Sequence, residues 1–418
     1  MEKHLRRSTA LLVLVFSVVA CTSPIRNGET QPSSAEQVET IVAMTLQALA
    51  PEVANTSTSG SEESTGLLPR SLYFLGKDNE WVTQVFRLER DGRTKTQLTF
   101  EPVNVTDYDV SLVEGSIAYV ASNQLLLVNP DGSNRRVLVD GGSGPDLRGF
   151  YSPVFSPDGR ILAYAHKGLN LYDLSASVSN LVIEDQLEAP QLLNGVEQSL
   201  PIETYGPERY SPDGTKLLIH LGYFEGTSAA IYDPVSKDLV RLTDKEGNPV
   251  SYYGLIDWTG WSGDGSSIYA AVPIPQFIYR SGEIWWADTA TGHVKTLIRF
   301  DAEAGTMMFP HEPYLAPDGQ LYYFFGAYGV DSGFFEPPVL ELVRSATDGM
   351  TDRIVLRDEN FRLMNEALWA PDASFVIVST LPERRWDQGG GVLELYPTDG
   401  QKESVWLAPN GEQMKWGP

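Results

Sequence analysis

Five segments of this chain repeat nearly the same phrase: "VFSPDGRILAY", "RYSPDGTKLLI", "GWSGDGSSIYA", "YLAPDGQLYYF" and "LWAPDASFVIV". Asp158, Asp213, Asp264, Asp318 and Asp372 mark the shared turn, at spacings of 55, 51, 54 and 54 residues. A period of this size means one supersecondary unit built many times over, which excludes most single-core folds. After each turn comes an apolar strand ("ILAYAH", "KLLIHL", "SIYAAV", "QLYYFF", "FVIVST"), and after a variable loop comes a third strand ("LNLYDL", "AAIYDP", "EIWWADT", "LELVRSA", "VLELYPT"). A short turn and a weaker fourth strand close the unit, as in "LVRLTD", "VKTLIRF", "DRIVLRD" and "ESVWLAP". Four antiparallel strands per 40–55 residues is the pattern of a β-propeller blade.

The turn chemistry is structural. Pro fixes φ at the second position, Asp bonds nearby backbone, and Gly takes the left-handed residue that tightens the hairpin. Gly263 replaces the Pro in one copy and Ala373 replaces the Gly in another. If the geometry is kept, Ala373 takes φ > 0 at a cost of roughly 1 kcal/mol.

Towards the N-terminus the repeat is degenerate. Glu114-Gly115 stands in for one turn, and "SLYFLG", "QVFRLERDG" and "TKTQLTF" read as second, third and fourth strands with no first strand before them. The missing strand is found at the other end, where "EQMKW" is a first strand that nothing follows. Second strands starting at Ser71, Ser116, Ile161, Lys216, Ser267, Gln320 and Phe375 give an all-β, seven-bladed β-propeller over 68–418. The C-terminal strand closes the ring, leaving no open edge.

The wording "FSPDGxxIAY…IYxxD…LT" resembles the WD40-like repeats of TolB-type propellers, also found as the propeller of prolyl-oligopeptidase-family enzymes. The resemblance covers about residues 68–418 and implies a fold, since such propellers serve many roles. The TolB periplasmic protein carries an α/β domain ahead of its propeller, whereas this chain has only a tether there. A role in that envelope system is therefore not implied.

Lys3, Arg6 and Arg7 precede an apolar run, 11–19, too short to span a bilayer, and the run ends in "VVAC". This resembles the bacterial lipobox, in which the Cys is lipidated and becomes the mature N-terminus. Cys21 is the only cysteine. The reading is a lipoprotein signal peptide over 1–20 and lipidation at Cys21, giving a protein of the cell envelope, lipid-anchored and extracytoplasmic. Thr at position 22 is not the Asp that commonly retains such proteins at the inner membrane, and the choice of membrane stays open. Residues 21–67 read as a flexible tether rich in Ser, Thr, Glu, Gly and Pro. Within it, Ser33 and Glu36 form a capping-box spacing ahead of a short amphipathic helix at about 34–49. That helix either docks on a surface or has no fixed contact.

The formal net charge is −24, and loss of residues 1–20 removes three basic residues and one acidic one to leave −26. A polyanion repels phosphate backbones and anionic lipid surfaces, so nucleic acid is excluded as a partner and membrane contact runs through the lipid anchor only.

No catalytic constellation stands out. The five His are scattered, and "GWSGD" lacks the final Gly of a nucleophile elbow and lies in a blade turn. Propeller glycosidases and lyases place their carboxylates on separate blades, out of reach of a motif, so a carbohydrate-active or metal-assisted enzyme remains the rival reading. The leading one is a binding or scaffolding module, monomeric, for a protein or peptide partner, with a small molecule or glycan as alternatives.

Loop asymmetry carries that reading. First-to-second and third-to-fourth connections are tight, so one face is plain and is not expected to bind. Second-to-third loops swell in the last four blades and bring Tyr223, Phe224, Phe277, Tyr279, Arg280, Tyr328, Phe334, Phe335, Arg384, Arg385 and Trp386 to the other face. Aromatics and Arg dominate interface energetics, although the same rings could pack on one another as a lid. Fourth-to-first loops open on that face too, placing Asp257, His311, Glu312, Asn365 and Glu366 at the channel mouth. Convergent carboxylates there suit a sugar or a cation such as calcium, or are simply solvated. No cofactor is called for.

Overall fold

The computed structural model describes residues 66–142, 149–193, 196–224, 226–250, 257–273, 281–299, 306–329, 339–381 and 390–418, all within the unit Thr65–Pro418. Cys21, the tether and its helix lie outside them. Among the described residues every regular element is a strand.

In chain order, β1 (Leu72–Lys77), β2 (Thr83–Leu88) and β3 (Lys95–Gln97) come first. A four-stranded sheet follows from β4 (Asp107–Val110), β5 (Ile117–Ala121), β6 (Gln124–Val128) and β7 (Arg136–Asp140). A second uses β8 (Tyr151–Phe155), β9 (Ile161–Ala165), β10 (Gly168–Asp173) and β11 (Val178–Glu184). Next, β12 (Gln186–Leu187) adds to the edge of β15 (Pro201–Tyr210), which continues into β16 (Leu217–Tyr223), β17 (Gly226–Tyr232) and β18 (Leu239–Arg241). Between β12 and β15, β13 (Gln191–Leu193) and β14 (Val196–Gln198) form a separate hairpin that the repeat does not foretell. Two further sheets comprise β19 (Asp257–Trp261), β20 (Ser267–Pro273), β21 (Ser281–Asp288) and β22 (Val294–Ile298), then β23 (Thr306–Leu315), β24 (Leu321–Gly329), β25 (Glu341–Ser345) and β26 (Ile354–Val355). Finally β27 (Met364–Trp369), β28 (Phe375–Thr380), β29 (Gly391–Pro397) and β30 (Val405–Trp416) join β1–β3 in one seven-stranded sheet. The arrangement is all-β and of propeller type, with antiparallel four-stranded sheets in series.

The second strands begin where the sequence places them, within one residue. They are the most apolar, and β5 is buried along its whole length. A strand covered on both faces needs packed sheets on either side. The core clusters accordingly draw on consecutive units: β1 and β2 pack with β4–β6, and β5 and β6 with β8–β10. At the far end Ile377, Leu393 and Leu407 pack with Phe74 and Phe86.

The turns keep their geometry. Gly159, Gly214, Gly265 and Gly319 have φ of 70°, 73°, 68° and 79°, and Ala373 follows them at 56°. In three copies a Ser hydroxyl donates to the turn Asp over 2.6 Å: Ser156 to Asp158, Ser211 to Asp213 and Ser262 to Asp264. The "EQMKW" segment pairs antiparallel with β1, Leu72 opposite Trp416 and Tyr73 opposite Lys415. It is not a separate strand, however. It continues directly from the outer strand "ESVWLAP", so that β30 pairs with β29 through its first half and with β1 through its second.

Candidate functional site

Most innermost strands carry an irregularity, β4 being the regular exception. Pairing slips between Tyr151 and Val154, His311 and Tyr314, and Met364 and Glu366. Ser152, Glu312 and Gln413 take positive φ of about 50°. A bulge takes a residue out of the ladder and turns its N–H away from the partner strand, and a buried N–H must find another acceptor.

Carboxylates from the preceding inner strand supply those acceptors. Asp107 Oδ2 accepts from the Ser152 N–H at 2.7 Å, and Asp109 Oδ2 from the Phe155 N–H at 2.7 Å. Glu312, only 4% exposed, accepts from the Ala367 N–H at 3.1 Å, while its own carbonyl takes the Trp369 indole N–H at 2.9 Å. Glu366 accepts from the Gln413 and Met414 N–H groups at 2.6 and 2.5 Å. Lys415 Nζ then reaches back to Asp109 at 3.0 Å and to the Tyr108 carbonyl at 2.6 Å. Burial raises the Asp107 carboxyl, against the opposing pull of Lys415 and the two N–H donors.

Of the five channel-mouth candidates, Glu312 and Glu366 are therefore fasteners between inner strands. His311 is half-buried on β23 opposite Phe324, Asn365 is exposed, and Asp257 opens β19. Among the described residues no three His, Cys, Asp or Glu side chains gather as a metal site would require.

On the loop face, Phe277, Tyr279, Arg280, Phe334, Phe335, Arg384, Arg385 and Trp386 lie outside the described residues, and Tyr328 lies on β24. Tyr223 is half-buried and donates its hydroxyl to Glu203 over 2.9 Å. Glu203 also takes the Tyr205 hydroxyl at 2.5 Å and a bidentate contact from Arg241, whose Nη2 lies 2.8 Å away. Burial alone would raise the Glu203 carboxyl; the Arg241, Tyr205 and Tyr223 hydrogen bonds overcome it and hold the pKa at about 2. Tyr205 and Tyr223 are pushed up to about 12 by burial and by donation to Glu203. Phe224, the next residue, is 63% exposed.

Two further aromatics are exposed in connections of the first unit. Trp81 is 80% exposed in the β1–β2 connection, where Asp78 Oδ1 accepts the Glu80 and Val82 N–H groups and fixes a tight turn. Phe100 is 74% exposed in the connection from β3 to β4. Loop length hides Trp81, because its connection, 78–82, is short, whereas Phe100 stands in the nine residues 98–106. The sequence signal that would find Trp81 is a bulky aromatic in an Asp-led turn; no comparable signal precedes Phe100. Large rings held out by rigid turns lose little entropy on binding.

No family model matches the chain, and no curated protein matches it. Among solved structures it is similar to a puromycin-hydrolyzing peptidase from Mycobacterium tuberculosis, at 14% identity over 82% of this chain and 52% of that one, with a TM-score of 0.52. It is also similar to TolB from Acinetobacter baumannii (16% identity, 80% of this chain and 79% of that one, TM-score 0.40). A third is an oligogalacturonate lyase from Vibrio parahaemolyticus (12% identity, 81% and 86%, TM-score 0.49). The chain spans about half the length of the peptidase, and at such identities the likeness is one of fold alone.

Proposed function

We propose that this protein is a seven-bladed, ring-closed β-propeller, held outside the cytoplasm by a lipid on Cys21, that binds a protein or peptide partner with its loop face. Residues 1–20 are then the signal peptide, 21–67 the tether and 68–418 the propeller. Among the described residues, seven core clusters, each joining successive strand units, favour the blade count, and the pairing of β30 with β1 favours closure.

The binding reading is carried by one observation: Trp81 and Phe224 project from second-to-third connections, and the turn-face connections of the described residues expose no aromatic, the exposed Trp406 lying on β30 itself. Glu312 and Glu366, already engaged between strands, lend the enzyme reading no support. The test is site-specific photo-crosslinking in the cell that makes the protein, from positions 81 and 224 against positions 350 and 401, exposed in the β25–β26 and β29–β30 turns of the turn face. A discrete cross-linked protein from the first pair alone is expected. Cross-links from the turn face alone would reject the reading. For the anchor, Cys21→Ser is expected to move the protein from the detergent-soluble membrane fraction to unprocessed or released material, since two or more acyl chains give stable anchoring. An unmodified Cys21 in the mature wild-type mass spectrum would count against lipidation.

A further inference from the structure

The face built from tight turns, not expected to bind, carries an open cleft of about 420 Å3. It lies between two successive units, with the Ser156–Gly159 turn region, β9 and β10 on one side and the turn after β15 and the β17–β18 turn on the other. Pro157, Ile161, Leu171 and Pro234 give it apolar walls. The exposed Asp158 and Asp213, equivalent residues of two repeats, line it as well. The two turns meet where Gly214 approaches Pro157, an added Cβ there lying 3.3 Å from the ring. Its volume falls in the range of small-ligand sites. Tyr210 forms part of the wall at 7% exposure, and its hydroxyl is buried without a hydrogen-bond partner among the described residues.

Both carboxylates are held as anions in fixed positions. Asp158 accepts from the Ser156 hydroxyl at 2.6 Å and the Arg160 N–H at 3.1 Å; Asp213 accepts from the Ser211 hydroxyl at 2.6 Å and the Thr215 N–H at 3.0 Å. These bonds keep both below the usual carboxylate range.

We propose that this cleft takes a basic side chain, lysine or arginine, presented by a peptide segment of a partner. The long stem of such a side chain covers apolar wall while its charged end stays near water and the two carboxylates. An apolar ligand would desolvate the carboxylates with nothing in return, and an anion would be repelled. A net charge of −24 also raises the encounter rate with cationic segments. The site is separate from the loop face, so either reading can fail alone.

The experiment is a ligand-observed NMR titration of the full chain with acetyl-Gly-Lys-Gly-amide, its arginine counterpart, and the norleucine peptide that keeps the stem without the charge. The lysine and arginine peptides are expected to bind, and the norleucine peptide to bind about tenfold more weakly, as the loss of two exposed charge pairs implies. Asp158→Asn and Asp213→Asn keep the turn's acceptor oxygen and are each expected to weaken the basic peptides about threefold. Pro234→Trp is expected to block the cleft with the charges unchanged; the Asn variants decide the matter if that protein does not fold. Equal affinity for norleucine, indifference to both Asn substitutions, or no binding of either basic peptide overturns the proposal.

Discussion

Removal of residues 412–418 is expected to unfold the strand domain at physiological temperature. The deletion takes away the second half of β30 and leaves β1 without its neighbour. Met414, buried, leaves a core shared by β1, β2, β28 and β29. Trp416, half-buried, packs edge-on against Phe375 with ring centres 6.1 Å apart and donates its indole N–H to the Trp369 carbonyl at 2.8 Å. Glu366 loses both of the N–H groups it accepts from, a cost paid in a partly desolvated site. Together these losses come to about 8 kcal/mol, against a total stability of roughly 5–15 kcal/mol for a folded domain. A truncated chain that melts at the wild-type temperature would show that the β30–β1 pairing contributes nothing. The milder Trp416→Ala is expected to cost about 2–3 kcal/mol, read as a lowered urea midpoint with an unchanged slope.

This pairing was legible because strand counting needs only periodicity. An aromatic, a Pro-Asp-Gly turn and an apolar run recur at nearly fixed spacing, and local chemistry alone places Ala373 at positive φ. The inner-strand fasteners were not legible, for a physical reason. Glu366 and Gln413 are 47 residues apart, and what brings them together is a bulge, whose position depends on how two sheets twist past one another. Glu312 and Glu366 therefore looked like residues awaiting a ligand, whereas the fold uses them itself. Glu203 and Arg241, at opposite ends of one unit, were likewise silent: neither belongs to a motif, and only the antiparallel course of β15–β18 joins them. Trp81 escaped a search guided by loop length, because exposure depends on which way a short turn points, and Phe100 stands where no turn signal marks it. The cleft beside Asp158 and Asp213 was hidden by its own motif, since each turn taken alone is a tight hairpin and the space arises only between two of them.

The Glu203 cluster supplies a stability effect with a sign that pH can check. Glu203→Gln is expected to destabilise the protein by about 2–3 kcal/mol at pH 7, with the difference vanishing as the pH falls towards 2. The folded carboxyl sits at about 2 and the unfolded one at the ordinary value of 4.5. Because folding lowers this pKa, the stabilisation is complete above about pH 4.5, is lost progressively as pH falls from there to 2, and is absent below. The full shift would give somewhat more than 3 kcal/mol, but Arg241 is partly exposed and water screens its share. Glutamine keeps one carbonyl acceptor and removes the charge, and its amide cannot accept from the second tyrosine hydroxyl. Urea midpoints of the two proteins between pH 2 and 7 measure the effect, and a difference that stays constant across that range would mean the charge is not what stabilises. The cluster also bears on binding. Tyr223 is tied to Glu203 and is followed directly by Phe224, so the carboxylate braces the turn that holds this ring in solvent. In Glu203→Gln the cross-link from position 224 is expected to weaken, while the one from position 81, held by its own Asp78 turn, persists.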